Sequence, residues 1–187
     1  MIQEFLLIFI PLLIIVNPSS TLALFSVITS KYSKKERKIT AKNAVVYASI
    51  LLIIFAIAGA SILDYLGIEI YSLRIAGGIL LSFVGLDMVR RGEQFGESEP
   101  GKDEKVDYAL VPLAMPSLSG PGAITITIVS MKSLIINIPW FYAIIITIIS
   151  ILLTMFITYI IFMSSGLTIK ILGRKGMDAF TREKAYQ

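Results

Sequence analysis

Two reactive residue types are missing from this chain of 187 residues, which contains no cysteine and no histidine. Their absence excludes disulfides, thiol chemistry and most transition-metal sites, and it removes the side chain that usually titrates near neutral pH. Charged residues are scarce as well, at 16% of the chain against about 25% in soluble domains. Hydrophobic residues make up 56% and the mean hydropathy is +0.81, so the composition predicts an integral membrane protein.

The apolar residues fall into runs that are long enough to cross a hydrocarbon core of about 30 Å as helices. We therefore predict an all-α integral membrane fold with five transmembrane helices, at residues 5–28, 43–63, 72–89, 108–131 and 139–163. The third span carries Gly78, Ser82 and Gly85 at helical spacing, which predicts a face small enough for close helix packing. The fifth span, rich in Ile, Leu and Thr, is predicted to face lipid.

Basic residues predict the orientation of these spans. The loop at 31–42, the segment 90–107 and the tail after Gly166 hold 6, 4 and 5 of the 17 Lys and Arg residues. The positive-inside rule then places the N-terminus outside and the C-terminus in the cytoplasm of a multi-pass protein. The net charge of +4 arises in these segments, so it predicts no nucleic-acid partner. Arg74, near the outer end of the third span, is predicted to snorkel or to pair with Glu69 or Asp64.

Catalytic chemistry has little support in this sequence. No pair of acidic residues lies at the centre of a span, no Gly-x-Ser-x-Gly motif occurs, and no base stands beside the serines of the apolar runs. We therefore predict that the protein is not an enzyme and holds no metal and no resident cofactor. If the chain transports a solute, H⁺ or Na⁺ is the expected coupling ion. Backbone carbonyls near 15–16 or 118–119, where Pro- and Ser-containing segments interrupt the apolar runs, are its candidate ligands.

The chain also shows an internal repeat. Each half has a broken span, then an unbroken span, then a segment that begins Leu-Gly and continues to an arginine. Three spans per half make the second half enter the membrane from the opposite side, which is an inverted-topology repeat. We predict one membrane domain over 1–187, with a first half at 1–91, a flexible cytoplasmic loop at 92–107 and an incomplete second half at 108–187. The repeat predicts a sixth span after about residue 180, where no further apolar run is found.

Two Pro- and Ser-containing breaks interrupt the first and fourth spans, at 16–21 and at 117–125. Such breaks at membrane depth are tolerated only where they are buried in protein or line a cavity. Asn17-Pro18 and Ser119-Gly120-Pro121 have the residue types that end one helix and begin another. The new N-termini would converge near the bilayer centre, where their free N–H groups suit a small anionic group such as a carboxylate. The alternative is that the breaks are proline kinks of a structural bundle.

The predicted substrate-binding residues come from both breaks. Their hydroxyl and amide groups supply hydrogen bonds, the glycines leave space for a small ligand, and the prolines begin the new half-helices. They are Asn17, Pro18, Ser19, Ser20, Thr21, Ser119, Gly120, Pro121, Gly122 and Thr125.

The same residues carry a family resemblance. Asn17-Pro18, the run Arg74-Ile75-Ala76-Gly77-Gly78 and the run from Pro112 through Gly120-Pro121-Gly122-Ala123-Ile124-Thr125 resemble the MarC family over nearly the whole chain. The resemblance implies a six-span, multi-pass plasma-membrane protein with discontinuous first and fourth helices. It also implies a transporter of small neutral amino acids of the glycine and alanine class. The partners implied are that small-molecule substrate and the lipid bilayer. The resemblance indicates no particular oligomeric state.

The chain departs from the family pattern in two places. Ser19-Ser20 stand where many members have a glycine-containing pair, which would change the size of substrate admitted. On this resemblance we expect the family's last transmembrane helix to be missing, with 181–187 in place of its start. The alternative to transport is therefore a non-transporting truncated remnant or an accessory membrane subunit.

Overall fold

The computed structural model describes residues 2–29, 32–69, 71–72, 75–76, 78–79, 82–83, 86, 113–114 and 117–166. Regular secondary structure in these residues is helical throughout, which confirms the all-α class. The predicted loop at 92–107 and the tail after Gly166 lie outside the described residues, as does much of the third span. The helices are α1 (Ile2–Val16), α2 (Pro18–Ile28), α3 (Lys34–Tyr65), α4 (Pro121–Asn137) and α5 (Trp140–Met163).

Three stretches of the described chain are long and apolar enough to cross a membrane, which supports an integral membrane protein. They are Ile2–Ser26, Lys34–Gly59 and Trp140–Met163, the first of which runs through the break between α1 and α2. Helix α4 is apolar but shorter, with 17 residues. At about 1.5 Å per residue it reaches only about 25 Å, less than a full crossing.

Helix α3 begins about two turns earlier than the predicted second span, so 34–42 is helix and not a loop. Ser33 caps this helix: its hydroxyl oxygen accepts from the backbone N–H of Glu36 at 3.2 Å. The Glu36 carboxylate accepts from the backbone N–H of Ser33 at 2.8 Å. This reciprocal capping box satisfies two donors at the helix start and extends α3 beyond its apolar part.

Helix α5 forms the centre of the bundle through one face, which the prediction of a lipid-facing span did not include. Its opposite face, with Ile149, Leu152 and Phe156, is exposed, in keeping with that prediction. The helix packs against α1, α2, α3 and α4. A stripe of small polar residues, fully buried, runs along it: Thr147, Ser150, Thr154 and Thr158. Each hydroxyl donates to the carbonyl four residues earlier, at 2.8 Å. The polar atoms are therefore satisfied within the helix, and the short side chains let neighbouring helices approach closely.

Helix α3 packs on this centre through an alanine stripe. Its buried positions Ala41, Ala44, Ala48, Leu52 and Ala56 recur at helical spacing. One turn further on, a Cβ added at Gly59 would lie 2.5 Å from Cγ1 of Ile128 on α4, so the two helices are in close contact there. At Gly78, in the predicted small face of the third span, an added Cβ meets no described atom within 4 Å. The described part of the chain thus shows the close approach at Gly59 rather than at Gly78.

Candidate functional site: two interrupted helices

The first break is the single residue Asn17, between α1 and α2. Its φ is 41°, in the left-handed region that asparagine tolerates better than most residues. Its backbone N–H still donates to the carbonyl of Leu13 at 3.1 Å, which completes α1. Its side-chain oxygen accepts from the N–H of Ser20 at 3.3 Å. Asn17 therefore ends one helix and caps the next, with Pro18 at the first helical position.

The break is repaired internally by Thr21, which is buried. Its hydroxyl lies 3.2 Å from the carbonyl oxygen of Val16 and 3.2 Å from that of Asn17. The backbone N–H groups of Ser20 and Thr21 both donate to the carbonyl of Asn17, at 3.1 and 3.2 Å, so neither serves the carbonyl of Val16. An unpaired carbonyl at membrane depth is costly. Thr21 supplies the missing donor, so its proton is committed to the backbone. Only its lone pairs remain for a ligand, a role that the sequence analysis missed.

The second break lies at Ser119 and Gly120, before α4. The backbone N–H and the hydroxyl of Ser119 both donate to the carbonyl of Ala114, at 2.9 and 2.8 Å. A bond from a residue to the carbonyl five positions earlier is the wide, π-type turn that often marks functional sites. Gly120 is the extended N-cap of α4, Pro121 follows it, and the first helical bond runs from Ile124 N–H to the Gly120 carbonyl at 3.0 Å.

The two breaks share one hydrogen-bonding pattern. In each, a buried hydroxyl donates to the carbonyl five residues earlier: Thr21 to Val16, and Ser119 to Ala114. The breaks also border one buried apolar cluster, because Val16 precedes the first, and Leu118 and Ala123 flank the second, within that cluster. The sequence predicted the breaks, and the structure adds that each adjoins this cluster, which also includes residues of α3 and α5.

Helices α2 and α4 leave their breaks in opposite directions. Phe25, late in α2, stacks on Phe162 at the end of α5, with ring centroids 4.4 Å apart. Ile8, early in α1, packs instead with Ala143 near the start of α5. The path from α1 to α2 therefore runs parallel to α5. Helix α4 runs antiparallel to α5, because the connection between them is only two residues long.

The predicted site residues differ in exposure. Three are buried, five are partly buried, and two are exposed in the isolated chain. In that order they are Pro18, Thr21 and Ser119; Asn17, Ser20, Gly120, Gly122 and Thr125; and Ser19 and Pro121.

An ion pair that the sequence did not indicate links the end of α3 to α4. Lys132 on α4 pairs with Asp64 near the end of α3. The pair lines an open cleft of about 420 Å³ together with Gly67, Ile68, Glu69 and Tyr71. Asp64 was predicted to be one of two possible partners of Arg74, which lies outside the described residues. Asp64 and Lys132 are 68 positions apart, so no local pattern could have found the pair.

The fold and the breaks define a class of protein: a multi-pass, α-helical integral membrane protein with interrupted helices. The model of the MarC family integral membrane proteins matches residues 2–185, and the chain belongs to that family. Both conclusions agree with the resemblance carried by the residues at the breaks.

Several relatives resemble the chain over most of their length. A UPF0056 membrane protein of Methanocaldococcus jannaschii is 38% identical over 97% of this chain and 88% of its own. One from Aquifex aeolicus is 33% identical over 93% and 81%. The UPF0056 inner membrane protein MarC of Escherichia coli is 32% identical over 91% and 82%. No solved structure matches the chain.

Proposed function

We propose that this protein is a transporter of small neutral amino acids of the glycine and alanine class. In this proposal the substrate binds between the N-termini of α2 and α4. The observation that carries it is the pair of breaks, which border one buried cluster and begin two oppositely directed helices. Matched interruptions of this kind are the usual location of substrate sites in secondary transporters.

The chemistry of the breaks favours the carboxylate of an amino acid. A helix N-terminus carries a partial positive charge of roughly half a unit and free N–H groups. At α4, no side chain caps the first turn within the described residues, so its N–H groups are available to a ligand. Gly120 and Gly122 add no side chain there, which favours a small substrate.

We also propose where the protein lies in the cell and how it is oriented in the membrane. We place the protein in the plasma membrane as an inverted repeat, with the lysine-rich start of α3 on the cytoplasmic side. The Escherichia coli relative is named as an inner membrane protein, which supports that location. Transport involves no covalent step and no resident cofactor or metal, and we propose H⁺ or Na⁺ as the coupling ion.

Uptake by proteoliposomes tests this function. Vesicles containing the purified protein should take up labelled glycine or alanine with saturation, with or without an imposed H⁺ or Na⁺ gradient. Unlabelled alanine should compete, whereas glycinamide, which lacks the carboxylate, should not. Uptake no greater than that of protein-free vesicles under every gradient would refute the transport function.

Variants test the location of the site. Asn17→Ala and Pro121→Ala should reduce uptake, because each removes a residue that begins a half-helix. Pro11→Ala is the matched control, since Pro11 lies inside the continuous helix α1, away from both breaks. If all three variants transport like the parent protein, the substrate does not bind at the breaks.

A further inference from the structure

Arg37 joins the ends of three helices at the lysine-rich end of the bundle. It lies in the first turn of α3, and its Nη2 is 3.4 Å from the carbonyl oxygen of Thr29, just after α2. A second carbonyl, that of Tyr32, lies 3.5 Å from the same atom. Its Nη1 is 3.6 Å from the position of a Cβ added at Gly166, just after α5. These hydrogen bonds are long, so they satisfy the guanidinium only weakly.

The guanidinium is left incompletely paired. Its Nε is buried and has no hydrogen-bond partner in the part of the chain that the structure describes. No carboxylate forms an ion pair with it among the same residues. Arginine stays charged at all ordinary pH values, so a buried unpaired N–H cannot be relieved by losing its proton. Arg37 as a whole is partly buried, and a charged donor atom shielded from water, such as this Nε, normally has an anionic or hydrogen-bonding partner.

Two buried serines lie next to, or one turn from, the chain positions that Arg37 approaches at Gly166 and Thr29. Ser165 adjoins Gly166 and is fully buried, and Ser26 is one turn before Thr29 and 2% exposed. Neither hydroxyl has a hydrogen-bond partner within the described residues. This is unusual for a helix, because the four buried hydroxyls of α5 all bond back to their own backbone. Arg37, Ser26 and Ser165, which we call the Arg37 site, thus offer three unused donors.

The local charge is positive even when helix dipoles are included. The exposed side chains of Lys34, Lys35, Lys38 and Lys42 lie on the first turns of α3, within five positions of Arg37. Glu36 is committed to the capping box with Ser33. The ends of α2 and α5 each contribute only about half a negative charge, and the start of α3 contributes about half a positive one. The field at the Arg37 site therefore attracts anions.

We propose that the Arg37 site binds a phosphate-type oxyanion, either the headgroup of an anionic lipid or a soluble phosphate. A tetrahedral oxyanion accepts hydrogen bonds from several directions, as donors on α2, α3 and the end of α5 require, and guanidinium groups suit phosphate oxygens. Basic pockets between membrane helices at the headgroup level recognise lipid phosphates in the same way. Binding there ties α2, α3 and α5 together and does not depend on the transport proposal.

Thermal unfolding of the delipidated protein in detergent tests this site. Inorganic phosphate and phosphatidylglycerol are the probes, and phosphatidylcholine is the zwitterionic control. Arg37→Gln should raise the half-saturating concentration of the effective probe by about tenfold, the usual effect of losing a charged hydrogen bond. Lys38→Gln, which removes an equal charge from the next, exposed position, should leave it nearly unchanged.

The outcomes separate the two sources of phosphate. An Arg37-dependent shift with phosphate alone identifies a soluble ligand, and a shift with phosphatidylglycerol but not phosphate identifies a lipid. Equal losses in Arg37→Gln and Lys38→Gln would overturn the proposal, because the effect would then be general surface charge. Absence of any shift, or an equal shift with phosphatidylcholine, would overturn it too.

A second pair of variants keeps Arg37 in place in case Arg37→Gln fails to fold. Gly166→Asp brings a carboxylate next to Nη1, where a Cβ fits at 3.6 Å, and Gly166→Asn is its neutral match. The aspartate should raise the melting temperature without ligand and abolish the shift with phosphate or lipid. The asparagine should keep most of that shift. If both variants respond to the probes like the parent protein, the Arg37 site is not where the anion binds.

Discussion

Replacing Gly59 by alanine should destabilise the protein, although alanine is the better helix former. The added Cβ would lie 2.5 Å from Cγ1, 2.7 Å from Cδ1 and 3.3 Å from Cγ2 of Ile128. Alanine gains about 1 kcal/mol of helix propensity over glycine. Overpacking of a buried contact costs about 1–3 kcal/mol. The overlap therefore outweighs the propensity, and the net loss should be about 1 kcal/mol, or roughly 2–4 °C in melting temperature.

The same substitution should change sign once Ile128 is shortened. Ile128→Ala removes all three atoms that approach the new methyl group. This change alone leaves a cavity and should cost about 2–4 kcal/mol. In that background, Gly59→Ala should stabilise by up to about 1 kcal/mol, because it keeps the propensity gain and refills part of the space. Gly78→Ala is the control, since an added Cβ there meets no described atom within 4 Å.

The absence of cysteine from the chain provides a simple assay. A single Ala48→Cys reporter, buried on α3, would react with a thiol-specific fluorophore only when the bundle opens. Melting curves of the reporter protein with Gly59→Ala, Ile128→Ala and both changes complete the cycle. If Gly59→Ala has the same effect in both backgrounds, the contact with Ile128 does not limit the packing of α3 on α4 and the reasoning is wrong.

Two further predictions concern the first break. Asn17→Gly should cost less than Asn17→Ala. Both substitutions remove the capping side chain, but glycine adopts the φ of 41° freely, whereas alanine is strained there. The difference in melting temperature should correspond to about 1 kcal/mol. Thr21→Val should cost about 1–3 kcal/mol because the carbonyl oxygen of Val16 loses the hydroxyl that donates to it. The control Thr158→Val should cost less, since its hydroxyl bonds only to the carbonyl of Thr154, which belongs to a regular helix. Equal losses of stability in Thr21→Val and Thr158→Val would contradict the role of the Thr21 hydroxyl in satisfying the backbone at the break.

The limits of a helix could be predicted where a residue at that position, such as a proline, favours the start of a helix. Pro139 places the start of α5 within a residue of the prediction, and Pro121 marks the start of α4. The start of α3 was missed because the basic segment suggested a loop, whereas Ser33 and Glu36 form a capping box. The capping residues were therefore visible in the sequence, but the basic charge of the segment favoured the prediction of a loop.

The neighbours of each helix could not be predicted in the same way. The composition of α5 suits lipid as well as a bundle interior, and only the three- and four-residue spacing of its hydroxyl residues marks the buried face. The roles of Thr21 and Ser119 depend on backbone carbonyls five positions away, which become available only when a helix is interrupted. The Asp64–Lys132 pair depends on tertiary packing alone.

The way the breaks are satisfied bears on which ligand they suit. An interrupted helix leaves carbonyl acceptors on one side and N–H donors on the other. Here the acceptors of Val16 and Ala114 already receive hydroxyl protons from within the chain. The donors at the start of α4 receive no side-chain cap within the described residues. What remains at the breaks is therefore richer in donors than in acceptors. An anionic group fits this balance, whereas Na⁺ bound by these carbonyls would have to compete with Thr21 and Ser119.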